Sequence, residues 1–209
     1  SNMNARSGEI GRCCVEVEVN LDAPPGRLGQ RIGEHRQSEF RGTGAIVILV
    51  IGDLVGRSSA RHHPARNVAQ ADAYDYIGGY TVANDYAIRN YLEGFYRPNF
   101  KIKSRDGCTP IGPWVVDAED IADPMQLDLR TLVNGEVTQQ GNTRDMLFKV
   151  PFLIEYFSSF MTLNVGDVIL TGTPHGTINV VPGDEVITEI EGIGQLRNTI
   201  TRDPLVTTP

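Results

Sequence analysis

The dipeptide Asn134-Gly135 lies between two runs, Leu127 to Val133 and Glu136 to Gln140. Both residue types accept the left-handed backbone of a two-residue type I′ turn, so the segment reads as a β-hairpin. Further turn signals punctuate the chain: Pro24-Pro25-Gly26, Gly78-Gly79, Val165-Gly166-Asp167 and Val181-Pro182-Gly183-Asp184. They border short runs that read as strands: Cys14 to Leu21, Tyr80 to Ala83, Val168 to Leu170 and Glu185 to Ile190. Ala45 to Ile51, ended by Gly52, is a continuous apolar run and reads as a buried strand. Helices are fewer. Val68 to Tyr76 and Tyr86 to Phe95 are candidates, the second with Asp85 available as its cap. Pro151 suits the first turn of a third, in which Phe152, Tyr156, Phe157 and Phe160 form an aromatic face that reads as core packing. There is no repeat and no βαβ rhythm. The pattern indicates an α+β, β-rich mixed fold.

Composition narrows the function. The chain has 209 residues, enough for one domain or one domain plus an appendage. A net charge of −7 gives no basic footprint for nucleic acid, and no apolar run is long enough for a membrane span. Three cysteines, Cys13, Cys14 and Cys108, make neither a disulfide framework nor a zinc spacing. Ser1-Asn2 before Met3 reads as a tag scar, and without a signal-like opening the cytoplasm is the default compartment. The three lysines, Lys101, Lys103 and Lys149, all fall in the second half or at its edge, whereas residues 1–66 hold nine of the 16 arginines and one of the 15 aromatics. This division separates residues 3–66 from residues 67–209. Arg/Gly/Ser-rich, lysine-free text is what a shifted reading frame in GC-rich DNA would produce, so residues 3–66 are expected to be aberrant in origin.

Three stretches carry chemistry. At Asn84-Asp85, a carboxylate beside an amide at a strand end ligates a hard cation or caps a helix. In Lys103-Ser104-Arg105-Asp106-Gly107, a scarce lysine either serves a site or joins a solvated turn. In Thr171-Gly172-Thr173-Pro174-His175-Gly176, glycines and hydroxyls either offer donors to an anion or simply shape a tight loop.

Taken together and in order, these stretches make residues 67–200 resemble the fumarylacetoacetate hydrolase family. The carrying residues are GYTVANDYAIRN (79–90), KSRDGCTPIGP (103–113), LRTLVNGEVTQQGNT (129–143), VGDVILTGTPHG (165–176) and VPGDEV (181–186). Residues 96–110 are similar to the branch that isomerises and decarboxylates 2-oxo or 2-hydroxy dicarboxylic acids in 4-hydroxyphenylacetate and homoprotocatechuate catabolism. The resemblance implies a homodimeric enzyme acting on a small oxo-dicarboxylate, with no nucleic-acid or membrane partner. It implies a Mg²⁺ or Mn²⁺ ion that stabilises an enolate. Position by position it implies Asp85 as metal ligand, Lys103 as the catalytic cation, and Gly172, Thr173 and Arg89 as substrate-binding residues. An acylpyruvate-type C–C hydrolase of the same family is the neighbouring reading.

The family's Glu-x-Glu metal pair falls on Gly44 and Ile46 when matched on the apolar strand. Counted back from Asp85 without gaps, it falls on Leu54 and Gly56. Neither placement supplies a carboxylate; Glu16-Val17-Glu18 does, but lies far earlier. Glu34, His35 and Glu39 are only faintly similar to the family's His-x-x-Glu lid element: the His35–Glu39 spacing is one residue too long and most of the following segment is missing, so the stretch reads as a solvated loop. These departures lead to an expectation of weak or lost metal binding, and to an inactive member serving as a binding or assembly subunit as the alternative function.

Overall fold

The computed structural model describes residues 13–18, 37–38, 45–52, 63–87, 103, 107 and 109–202. The described strands are β1 (Cys13–Glu18), β2 (Gln37–Ser38), β3 (Ala45–Ile51), β4 (Ile77–Asn84) and β5 (Ile111–Asp117). They continue with β6 (Asp128–Val133), β7 (Glu136–Asn142), β8 (Val168–Leu170), β9 (Glu185–Ile190) and β10 (Gly194–Arg202). A six-stranded sheet has the order β2-β1-β10-β9-β6-β7, and a four-stranded sheet the order β5-β4-β3-β8. Every paired strand is antiparallel to its neighbour. The β-rich mixed fold expected from the turn spacing is therefore present.

Local chemistry explains the elements. Asn134 and Gly135 adopt φ of 52° and 84°, and they close the β6–β7 hairpin. β6 and β9 alternate, turning Leu129, Thr131 and Val133, and Val186, Thr188 and Ile190, into the interior. All eight residues of β4 are buried, as suits a central strand covered on both faces. Ile51, Ile77, Tyr80 and Val82 of one sheet join Leu129, Ile190 and Leu196 of the other in one core cluster. The two sheets thus share a single interior.

The helix α1 (Val150–Phe160) begins with a proline in its first turn, as the sequence indicates. Its aromatic face corrects the sequence reading. The residues α1 buries are Val150, Ile154 and Ser158, spaced four apart. Tyr156 and Phe160 remain 52% and 56% exposed. Phe148, Phe152 and Tyr156 stack on one another along the outside, with ring centroids 4.9 and 5.9 Å apart. Phe157 alone of the four packs partly against the core. The cause is close approach. The backbone at Asn67 donates to the Ser158 carbonyl at 3.0 Å, and Val68 N–H donates to the Ser158 hydroxyl at 3.0 Å. A ring at position 158 would hold that segment away.

Two further expectations change. The helix expected over Val68 to Tyr76 is a 3-10 helix over Gln70–Tyr76, and Ala69 before it provides no side-chain cap. Asp85 to Ala87 are not helical, and the rest of the helix expected up to Phe95 lies outside the described residues.

Candidate active site

β4 and β8 flank β3, and both run antiparallel to it, so their C-terminal ends leave the sheet at the same edge. Asn84 stands opposite Ala45, and Leu170 opposite Ile48. β3 lies between the two strands, so about 10 Å separates β4 from β8 across the sheet.

At the β4 end, the Lys103 ammonium forms an ion pair with the Asp85 carboxylate. The lysine side chain is 43% exposed and the aspartate 19%, so the pair sits at the rim with its outer face open to an entering molecule. Two of the site residues expected from the sequence are thus brought together. Arg89 lies outside the described residues.

At the β8 end, Thr171 to His175 line a cavity of about 490 Å³ together with Asn142, Asp145 and Phe148. Gly172 and Thr173 belong to this wall; Asp85 and Lys103 do not line it. The loop is anchored on β7. Gly176 has φ of 109°, and a Cβ there would stand 2.3 Å from the Thr138 carbonyl oxygen, so only glycine fits. Gln139, 2% exposed, donates from Nε2 to the Pro174 carbonyl at 2.6 Å and to Thr173 Oγ1 at 2.9 Å. A carbonyl can only accept, so the Pro174 bond fixes which end of the Gln139 amide faces the loop. The Thr173 hydroxyl consequently accepts from Gln139 and keeps its own proton for another acceptor. Gln139 is an anchor of this loop that motif spacing did not single out; its signal is a buried amide beside the loop.

Tyr86 is fully buried, and burial pushes its phenol well above the ordinary tyrosine value of 10.0. Its hydroxyl donates to Asn198 Oδ1 at 3.2 Å, which ties the residue after Asp85 to the six-stranded sheet.

A three-carboxylate metal site does not fit the described residues. Among them, no group of three His, Cys, Asp or Glu side chains is placed to hold an ion. The strand between the two ends begins at Ala45, and its Ile46 is one of the two positions, with Gly44 before the strand, where one matching of the family pattern would need a glutamate. Glu16 and Glu18 belong to β1 in the other sheet. A second Glu-x-Glu, Glu189-Ile190-Glu191, is already engaged. Glu189 accepts from Arg130 and Gln195, and Glu191 from the Asp128 N–H.

The family model for the fumarylacetoacetate hydrolase C-terminal domain matches residues 52–201. The chain belongs to the fumarylacetoacetate hydrolase family. It is 62% identical over 174 residues to the 4-hydroxyphenylacetate degradation bifunctional isomerase/decarboxylase of Salmonella dublin, covering 80% of this chain and 38% of that one. It spans between 32% and 38% of the length of the three curated isomerase/decarboxylases of this kind that it matches. Among solved structures, 2-hydroxyhepta-2,4-diene-1,7-dioate isomerase from Mycobacterium marinum is 36% identical, with a TM-score of 0.62, over 75% of this chain and 57% of that one. Maleylpyruvate hydrolase from Sphingobium sp. SYK-6, in complex with manganese(II) and pyruvate, is 31% identical with a TM-score of 0.65, over 84% and 55%. The family scaffold thus hosts isomerases, decarboxylases and hydrolases, and one of these relatives holds a divalent metal. Among the described residues no helix is long and apolar enough to cross a membrane.

Proposed function

We propose that this chain catalyses isomerisation or decarboxylation of a 2-oxo or 2-hydroxy dicarboxylic acid in 4-hydroxyphenylacetate or homoprotocatechuate catabolism. The observation that carries the reading is the Asp85–Lys103 ion pair, set at the same sheet edge as the Thr171–Gly176 loop. Sequence identity of 62% to a named isomerase/decarboxylase supports the substrate class.

The chain's own residues suggest the division of labour. The Thr173 hydroxyl proton and the backbone around Gly172 bind one carboxylate of the acid. Arg89 is a second anchor in this reading. Lys103 swings from Asp85 to the oxo oxygen. Moving a double bond or losing CO₂ builds negative charge on that oxygen, and a cation already in place stabilises the enolate. Asp85 keeps the ammonium charged and poised until the acid arrives. In this reading Mg²⁺ or Mn²⁺ would take Asp85 as its one described ligand, and so low a ligand charge makes binding weak. The chain works as a cytoplasmic homodimer here.

The same enolate serves a C–C hydrolase, a neighbouring reading that the maleylpyruvate hydrolase likeness favours. A reading from another class, an inactive binding or assembly subunit, draws support from the missing carboxylates. Incubation with 2-hydroxyhepta-2,4-diene-1,7-dioate, followed by absorbance of its conjugated system, tests the proposal. Turnover by the native chain that is lost in Lys103→Met supports an enzyme. No turnover at millimolar Mg²⁺ or Mn²⁺ overturns it in favour of the subunit.

A further inference from the structure

A buried polar chain runs from the six-stranded sheet to the two residues that bracket Asp85. Asn84, Thr188 and Asn198 have no exposure to solvent, and neither has Tyr86. Asn198 Nδ2 donates to the Arg197 carbonyl at 2.9 Å, which fixes that amide with Oδ1 facing the other sheet. Oδ1 then accepts from Asn84 Nδ2 at 2.7 Å and from the Tyr86 hydroxyl at 3.2 Å. Asn84, having donated, accepts at Oδ1 from the Thr188 hydroxyl at 2.7 Å. The polarity of the whole chain follows from one backbone carbonyl.

Its position gives it a further role. Successive side chains of an extended segment point to opposite sides. Asn84 and Tyr86 both turn inward to Asn198, so Asp85 between them turns outward, to Lys103. A purely apolar contact would hold those neighbours inside with less restraint on their rotation. Directional bonds fix the peptides on both sides of the carboxylate. We propose that Thr188, Asn198 and Asn84 are positioning residues, and that the six-stranded sheet sets the aim of Asp85 at Lys103 through them. Their catalytic meaning rests on the function proposed above, whereas the geometric claim does not.

The scarcity of lysine makes this testable without substrate. Reductive methylation of the native chain, read by peptide mass spectrometry, compares Lys103 with Lys149, which precedes α1 and donates to the Arg144 carbonyl. Thr188→Val keeps the shape and removes the hydroxyl; Thr188→Ser restores it. Tyr86→Phe removes one donor with a smaller disturbance. Thr188→Val is expected to raise the Lys103-to-Lys149 labelling ratio about threefold, the scale of releasing a partly exposed ion pair, with Tyr86→Phe intermediate and Thr188→Ser at the native ratio. On an active enzyme, Thr188→Val also lowers kcat about tenfold or more with KM changed less than about twofold, because misplacing a reacting group costs rate rather than binding. An unchanged labelling ratio in both Thr188→Val and Tyr86→Phe overturns the proposal. A native chain with no turnover but the expected labelling pattern refutes the proposed activity and leaves the positioning role standing.

Discussion

Lys103 is the residue on which the proposed chemistry turns. A cation placed where an enolate oxygen develops is worth about 2.7–4 kcal/mol of barrier, so Lys103→Met is expected to slow turnover roughly a hundredfold or more. Lys103→Arg should not restore it, since a planar guanidinium cannot take the place of a compact ammonium. Steady-state rates on the diene-dioate check both. Tyr86 supplies a second residue-scale expectation. The folded chain holds its phenol proton to higher pH than the unfolded chain does. Below the ordinary tyrosine value this difference leaves stability untouched. Above it the unfolded state binds fewer protons, so stability falls as pH rises. Urea midpoints measured from about pH 8 to 11 should fall less steeply in Tyr86→Phe than in the native chain.

At the scale of elements, what could be read from the sequence follows from how local the cause is. The β6–β7 hairpin, β3 and β9 depend on turn residues and runs within a few positions, and these were legible. β5 was missed because Gly112 and Pro113 break its run; the sheet accommodates them because β5 is an edge strand. β10 was missed because Asn198 interrupts its inward alternation, and that asparagine has its partners 112 and 114 residues away. The α1 aromatic face was misread because rings at helical spacing look like a core, while the deciding contact, Ser158 against Val68, is 90 residues apart. The readings of Asp85, Lys103 and Thr173 rest on ordered motifs alone. Gln139 and the Asn84–Asn198 bond were not legible, since buried amides leave no periodic trace. The corrected α1 face is measurable. Ile154→Ala should cost about 2–5 kcal/mol in denaturant unfolding, as a fully buried aliphatic loses its packing. Tyr156→Ser should cost less, about 0.5–1.5 kcal/mol, because it loses ring contacts to Phe152, Phe157 and Phe160 but little burial. The loop is measurable too. Gly176→Ala forces a Cβ against the Thr138 carbonyl at a left-handed φ. It should cost about 1–3 kcal/mol and raise KM through a displaced Thr173.

For the whole molecule, two antiparallel sheets bring together chain segments far apart in sequence. The four-stranded sheet presents the Asp85 end and the Thr173 end at one edge, and the six-stranded sheet braces both. It braces the first through Asn198 and Thr188, the second through Gln139 on β7. In the function proposed above, the Thr173 end grips a carboxylate and Lys103 supplies the cation for an acid that passes through an enolate. That step is common to isomerase, decarboxylase and hydrolase alike, so it is the step to measure. A saturated 2-oxo dicarboxylic acid incubated with the chain in D₂O exchanges its C3 protons when the enolate forms, and proton NMR follows the loss of signal. The native chain is predicted to exchange them at least roughly a hundredfold faster than Lys103→Met. Equal rates in the two chains, or a native rate no faster than buffer alone, would contradict the account.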